Sequence, residues 1–365
     1  MARISILTPT LVASDAVGND VLGMHRLLTR RGHEVQLFAE DWSADGLGVR
    51  YAAHARPFAE SPDDILIYHH SIGWELGADL LQSSACRTII KYHNVTPAEF
   101  FDGFSSHHRQ LCELGRTQLA SIARAHHTVY LAASAYNKSE LLAAGADPSR
   151  TFVAPPFNQA ENLAVVTPDL DVLDKYSDGK TNLLMVGSVR PNKGHASLIE
   201  AFAQYYYDFN CYSRLLIVGA EDEKLNGYSK ALRDLAELLH LEGAIVFTGE
   251  VSVNALKAYY LASDVFVIAS EHEGFCVPLV EAMAMKLPIV GYSTPAIAET
   301  VGDCGVLWDK IDPTLLAESI NTLVEDESEI AALTHGGRQR YETMFSDASL
   351  DNEFLRASAA AGLAL

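Results

Sequence analysis

Short apolar runs alternate along this chain with longer stretches in which apolar residues return every three or four positions. Arg3–Leu7 is the first such run and predicts a strand. Val17–Arg31 carries the helical period and stops at Gly32. Glu34–Ala39, Ile65–Tyr68, Thr88–Tyr92 and Thr128–Leu131 predict further strands, and Thr151–Ala154 closes the series before Pro155-Pro156. A second series begins at Asn182–Val186 and continues through Arg214–Val218, Ala244–Phe247, Asp264–Ala269 and Leu287–Gly291. Helices are expected over Pro313–Glu325 and Glu327–Met344, and the tail, Ser346–Leu365, is amphipathic and then alanine-rich. Strands that alternate with helical stretches argue for an α/β fold with parallel, doubly wound sheets. Residues 158–180 are polar, with Pro168, several aspartates and Gly179, and are expected to be an interdomain linker. The expected domains are therefore 1–157 and 181–345.

The length, 365 residues, suits two domains that each bury a core. With 48% hydrophobic residues the chain is globular, yet no run approaches the eighteen or so apolar residues that a membrane span needs. Met1–Thr10 lacks the long apolar stretch of a signal peptide. Five scattered cysteines (Cys86, Cys112, Cys211, Cys276, Cys304) fit a reducing compartment better than a disulfide framework, so a cytoplasmic location is expected. No C-x-x-C or H-E-x-x-H pattern offers a metal site. The formal net charge of -20 excludes nucleic acid as a natural partner. That charge is uneven. Residues 1–157 hold 13 basic against 16 acidic residues and ten of the 14 histidines, whereas the remainder holds 14 basic against 31 acidic. The near-neutral first half is the one suited to an anionic membrane surface or a lipid-linked acceptor.

Candidate chemistry concentrates in Ser270-Glu271-His272-Glu273-Gly274-Phe275-Cys276-Val277-Pro278-Leu279-Val280-Glu281. The run before it predicts a buried strand, and Pro278 suits the first turn of a helix that Leu279 to Lys286 continue. Glu273 then lies in a loop at the carboxyl end of a strand, and Glu281 about one turn into the helix. That edge of an open α/β sheet is where ligands bind. The N–H groups of residues 275–279 are expected to face the ligand, and such a helix start favours an anion. The plain alternative is an acidic loop ahead of a core helix. Upstream, Val186-Gly187-Ser188-Val189-Arg190-Pro191-Asn192-Lys193-Gly194-His195 joins a strand to a helix. Its lysine precedes Gly194, so it is not a P-loop. Two cations beside a helix start can neutralise a diphosphate without a metal.

The spacing of Glu273 and Glu281 resembles the E-x(7)-E motif of retaining glycosyltransferases of family 4, which have the GT-B fold: two Rossmann-like, doubly wound domains facing a central cleft. The resemblance implies that Glu273 lies against the sugar of a nucleotide-sugar donor and that Glu281 accepts hydrogen bonds from the ribose hydroxyls. A carboxylate can take two vicinal hydroxyls at once. It implies too that Arg190 and Lys193 clamp the diphosphate, and that Gly249-Glu250-Val251-Ser252 lies over the base, with Val251 at the donor. Gly274, Phe275, Cys276 and Val277 would complete the donor loop. Cys276 stands where the family has glycine, which narrows the sugar site. Gly18, in Ser14-Asp15-Ala16-Val17-Gly18-Asn19-Asp20, matches one glycine of the family's first loop, but the usual Gly-Gly pair is absent. His93, in Lys91-Tyr92-His93-Asn94, resembles the histidine placed near the transferred sugar. His69 and His70 are expected to line the acceptor site, while His107, His108, His126 and His127 are assigned to surface or packing. GT-B enzymes return their last helix to the first domain, so residues 346–365 are expected there.

The resemblance implies a retaining, metal-independent hexosyltransferase with no cofactor. Its donor would be GDP-mannose or a UDP-hexose, and its acceptor a sugar hydroxyl of a glycan or lipid-linked glycan. The segment around Gly18 resembles bacterial enzymes of surface-polysaccharide and lipopolysaccharide synthesis, mannosyltransferases among them, and a lipid-linked acceptor would bring the protein to the inner face of the membrane. The alternatives are a sugar-nucleotide epimerase on the same fold and a non-catalytic sugar-binding protein.

Overall fold

A computed structural model describes residues 3–13, 15–43, 46–125, 128–363 and 365. Met1, Ala2, Ser14, His126 and His127, which figure in the expectations above, lie outside the described residues. The chain forms two units. The first comprises Met1–Glu99, His107–Asn158 and Asp347–Leu365, and the second Phe100–Ser106 and Gln159–Ser346.

The first unit is built on β1 (Arg3–Leu11), β2 (Glu34–Trp42), β3 (Arg50–Tyr51), β4 (Ile65–His70), β5 (Arg87–Tyr92), β6 (Thr128–Ala132) and β7 (Thr151–Val153). All pairings are parallel, in the order β3-β2-β1-β4-β5-β6-β7. β4 is buried along its whole length, the signature of a strand covered on both faces. His69 pairs with Lys91 and His70 with Tyr92, so each couple shares a face of the sheet. The helix Ala16–Arg30 follows β1, and Asp15 caps it by accepting from the Gly18 N–H at 2.5 Å. The helix Asp347–Ala360 adds Leu350, Phe354 and Ala357 to the core that holds Ile4, Ile6 and Leu28.

The second unit is built on β8 (Thr181–Val186), β9 (Ser213–Val218), β10 (Ile245–Phe247), β11 (Val265–Ile268), β12 (Ile289–Tyr292) and β13 (Val306–Trp308), also all parallel, in the order β10-β9-β8-β11-β12-β13. Both sheets therefore reverse their winding beside their first strand, between β1 and β4 and between β8 and β11. A ligand crevice forms outside the carboxyl ends of the strands at such a point.

Three expectations need correction. Residues 158–180 are not a bare linker: they form the helices Ala160–Val165 and Leu170–Tyr176 and belong to the second unit. Their aspartates were the misleading signal, because Asp169 caps the second of these helices, accepting from the N–H groups of Asp171 and Val172 at 3.1 Å. The expected set of strands is short by two, because β3 and β13 add a further strand at one edge of each sheet. The stretch 327–344 is an α-helix over Glu327–Arg340 that widens into a π-helical turn at Tyr341–Phe345.

Candidate functional site

In the second unit, neighbouring strands bring two loops together. The loop after β8 carries Arg190 to Gly194, and the loop after β11 carries Ser270 to Cys276. Asn192 joins them: its carbonyl accepts from the N–H groups of Glu271 (2.9 Å) and His272 (3.3 Å), and its side-chain amide donates to the His272 carbonyl at 3.1 Å. Gly194 has φ +66°, and a Cβ there would lie 1.9 Å from the Ala269 carbonyl oxygen, so only glycine permits this approach. The loops thus present Lys193 and Glu273 as a pair, Nζ to Oε1 at 2.7 Å, with Glu273 buried. Burial works against the lysine's charge, but Glu273 opposes it and the pKa is raised on balance. A lysine has three donors, and Glu273 occupies one. Arg190, 38% exposed and 3.8 Å from Asp222, retains a solvent-facing guanidinium.

Glu281 lies on the helix Val277–Ala284, buried, and Tyr260 donates to its Oε2 at 2.9 Å. Burial pushes the Glu281 carboxyl up to about 7, against the pull of that hydrogen bond. Tyr260 was not singled out from sequence: it sits 21 positions away, on the helix Val253–Leu261, with nothing in its own segment to mark it. Cys276 precedes the helix with φ +75°, a left-handed conformation that costs a non-glycine residue about 1–2 kcal/mol. Burial pushes its thiol well above the ordinary range, so it is a poor nucleophile. Phe275 and Val277 are buried on either side, and Thr300 donates to the Phe275 carbonyl at 2.9 Å. The row of N–H groups expected over residues 275–279 is shorter in the structure. Pro278 has none, and that of Leu279 donates to the Cys276 carbonyl at 3.2 Å. Gly274 lies half-buried in the same loop. Val251 lies apart from it, in the loop after β10, two strands away from β8.

In the first unit, four side chains meet where the winding reverses. Asp20, on the helix after β1, accepts from the Phe157 N–H through Oδ1 at 2.8 Å. Its Oδ2 lies 3.7 Å from Lys91 Nζ, 3.8 Å from His69 Nδ1 and 3.4 Å from His93 Nε2. His69 Nδ1 and His93 Nε2 are 2.9 Å apart, and Lys91 also donates to the Ala154 carbonyl. Burial raises the Asp20 carboxyl to about 6 despite Lys91, lowers Lys91, holds His69 near 3 and pushes His93 well down. Asp20 and Lys91 were not expected in the site although they stand beside Gly18 and His93 in the sequence, because only the fold brings the helix after β1 against β5.

His69 and His70 do not line a surface: both rings are fully buried. His70 lies on the other face of the sheet from His69, between Tyr68 and Tyr92, with Nε2 3.0 Å from the Gly115 carbonyl oxygen. It is a packing residue. Gly18 is also explained by its own loop, because a Cβ there would lie 1.8 Å from the Val12 carbonyl oxygen.

Residues 174–340 match the family model described as glycosyl transferases group 1. The second unit carries a group 1 glycosyltransferase domain. The O-antigen chain mannosyltransferase B of Escherichia coli is 29% identical over 163 residues, which cover 44% of this chain and 41% of that protein. The chain thus spans less than half the length of that curated relative. Among solved structures, Anabaena Alr3699/HepE in complex with UDP and glucose superposes with a TM-score of 0.78 at 18% identity, over 99% of this chain and 100% of that one. WaaG, a glycosyltransferase involved in lipopolysaccharide biosynthesis, does so with 0.75 at 17%, over 98% and 100%. The fold is GT-B. Arg190, Lys193, Glu273 and Glu281 all fall within the group 1 domain.

Proposed function

We propose that the chain is a retaining hexosyltransferase acting on a nucleoside-diphosphate sugar, in the synthesis of a bacterial polysaccharide or lipopolysaccharide. The observation that carries this is the Lys193–Glu273 pair, held at the winding reversal of the group 1 domain with Arg190 beside it and Glu281 on the next helix. Arg190 and Lys193 take the diphosphate. Lys193 keeps two donors for it beyond the one on Glu273. Glu281 takes the ribose hydroxyls, and Glu273, once Lys193 turns to phosphate, takes the sugar. The backbone of the loop around Val251 takes the base.

On this reading the anomeric carbon loses its bond to the leaving phosphate oxygen and gains one to the acceptor hydroxyl oxygen on the same face. The acceptor proton passes to that phosphate oxygen, so no enzyme nucleophile is required. The two cations stabilise the departing diphosphate, a role that a metal fills elsewhere. The acceptor, a glycan or lipid-linked glycan, belongs to the first unit, where His93 offers a ring nitrogen to it. A lipid-linked acceptor would make the protein peripheral to a membrane; among the described residues no helix is long and apolar enough to cross one. The Escherichia coli relative named for mannose transfer favours mannose, and the UDP complex of HepE keeps a UDP-hexose in play.

Titration calorimetry with UDP, GDP and ADP, first in EDTA and then with magnesium, tests the donor site. One nucleotide is expected to bind equally well without metal. Glu273→Ala should keep that affinity while turnover falls by about 100-fold or more, the scale of a lost transition-state contact. Strict magnesium dependence would overturn the clamp, and full turnover in Glu273→Ala would overturn the role of Glu273.

A further inference from the structure

We propose that Asp20 and His69 are positioning residues that present His93 as a neutral hydrogen-bond donor through Nδ1. The inference rests on the assignment of His93 to the transfer reaction. Its starting point is a proton count. His69 Nδ1 and His93 Nε2 stand 2.9 Å apart, so one carries a proton and the other accepts it. His69 Nε2 is buried without a hydrogen-bond partner. If the proton of His69 sat there, a buried N–H would be stranded, which proteins avoid more strictly than a bare lone pair. His69 therefore carries its proton on Nδ1 and donates to His93 Nε2. His93, neutral, must then carry its own proton on Nδ1.

The surroundings favour a proton in this contact. Asp20 Oδ2, buried and without a hydrogen-bond partner, lies 3.4 Å from His93 Nε2 and 3.8 Å from His69 Nδ1; it favours a proton between the rings, and the otherwise stranded Nε2 of His69 decides that His69 carries it. Lys91 balances the Asp20 charge at 3.7 Å and leaves no call for an imidazolium. The other groups near the cluster are the Phe157 N–H, already taken by Asp20, the Ala154 carbonyl, taken by Lys91, and His70 on the opposite face. Asp20, His69 and His93 could in principle hold a cation. The Lys91 amine places a positive charge beside that spot, and a separation of 2.9 Å is that of a hydrogen bond. A neutral donor at Nδ1 can bond a sugar oxygen but cannot accept the acceptor's proton there. That matches a path in which the leaving phosphate oxygen takes it.

Long-range ¹H–¹⁵N correlation spectra of the full chain, labelled at histidine and free of substrate, test this directly. His69 and His93 are expected as Nδ1–H tautomers with shifts that stay flat from about pH 6 to pH 8. His69→Leu should leave His93 in mixed tautomers that titrate, with kcat lower by about tenfold, the worth of one hydrogen bond. His69→Asn, whose side-chain amide occupies the place of the Nδ1–H, should restore both tautomer and rate. A proton on His93 Nε2 in the wild-type chain, or movement of both rings on adding zinc, would overturn the proposal. Because the spectra need no turnover, a failure of the transferase reading would leave this result legible.

Discussion

On the proposed reading, Glu281 carries two demands that conflict. To bind ribose it must be a carboxylate, yet its burial holds the carboxyl near 7. The folded state therefore binds a proton that the unfolded chain, with an ordinary glutamate, has already lost above about pH 4.3. The stability associated with that proton is fully present below the unfolded value and fades as pH rises through 7, by roughly 3 kcal/mol in all. Glu281→Gln removes the titration and keeps an oxygen for the Tyr260 hydroxyl. The variant should be more stable than wild type at pH 8 in urea denaturation and should lose nucleotide affinity. In the wild-type chain nucleotide affinity should rise from pH 6 to pH 8. A flat profile would show that Glu281 does not meet the ribose as an anion. Glu273 and Glu281 were legible in sequence because strand, loop and helix signals surround them. The environment that tunes them was not, since Tyr260 acts on Glu281 only after folding places it 2.9 Å away.

Among elements, the decisive contact is between two loops, and Gly194 is the residue that permits it. Its left-handed backbone and its closeness to Ala269 are separate costs for any side chain. Gly179 separates them: it has φ +86° with nothing within 4 Å, so Gly179→Ala pays only the backbone strain, about 1 kcal/mol. Gly194→Ala pays that and a steric overlap at 1.9 Å, and should lose about 2–4 kcal/mol, within the range of overpacked or strained core changes. It should also weaken nucleotide binding, because the Asn192 bonds to Glu271 and His272 depend on the same approach. Equal destabilisation in the two variants, measured by urea midpoints, would show that the loops can part without cost. Eleven of the strands could be placed from apolar runs beforehand, β4 and β8 among them. Helix caps in 158–180 were mistaken for linker polarity, because Asp169 looks the same in a cap and in a solvated loop until its partners are known.

The whole molecule shows a chain that leaves its first unit at Asn158 and returns to it at Asp347. The core of that unit joins Ile4 and Ile6 to Phe157 and Phe354, so residues from both ends of the sequence must meet before it is complete. Phe354 is 1% exposed and its ring lies 6.0 Å from that of Phe157, while Arg30 and Asp351 pair at 2.9 Å above it. Phe157 also supplies the N–H that Asp20 accepts, which ties this packing to the Asp20–His69–His93 cluster. Phe354→Ala should therefore cost about 3–5 kcal/mol in the first unit, the usual price of a deleted core aromatic. The loss belongs to a definite place. By hydrogen exchange, amides of β1 and β4 should lose protection, whereas those of β8 and β11 should keep it and the nucleotide should still bind. The histidine resonances of His69 and His93 should broaden in the same variant as the Phe157 N–H loosens its hold on Asp20. Unchanged protection in β1 would mean that the returning helix is an ornament on a core complete without it.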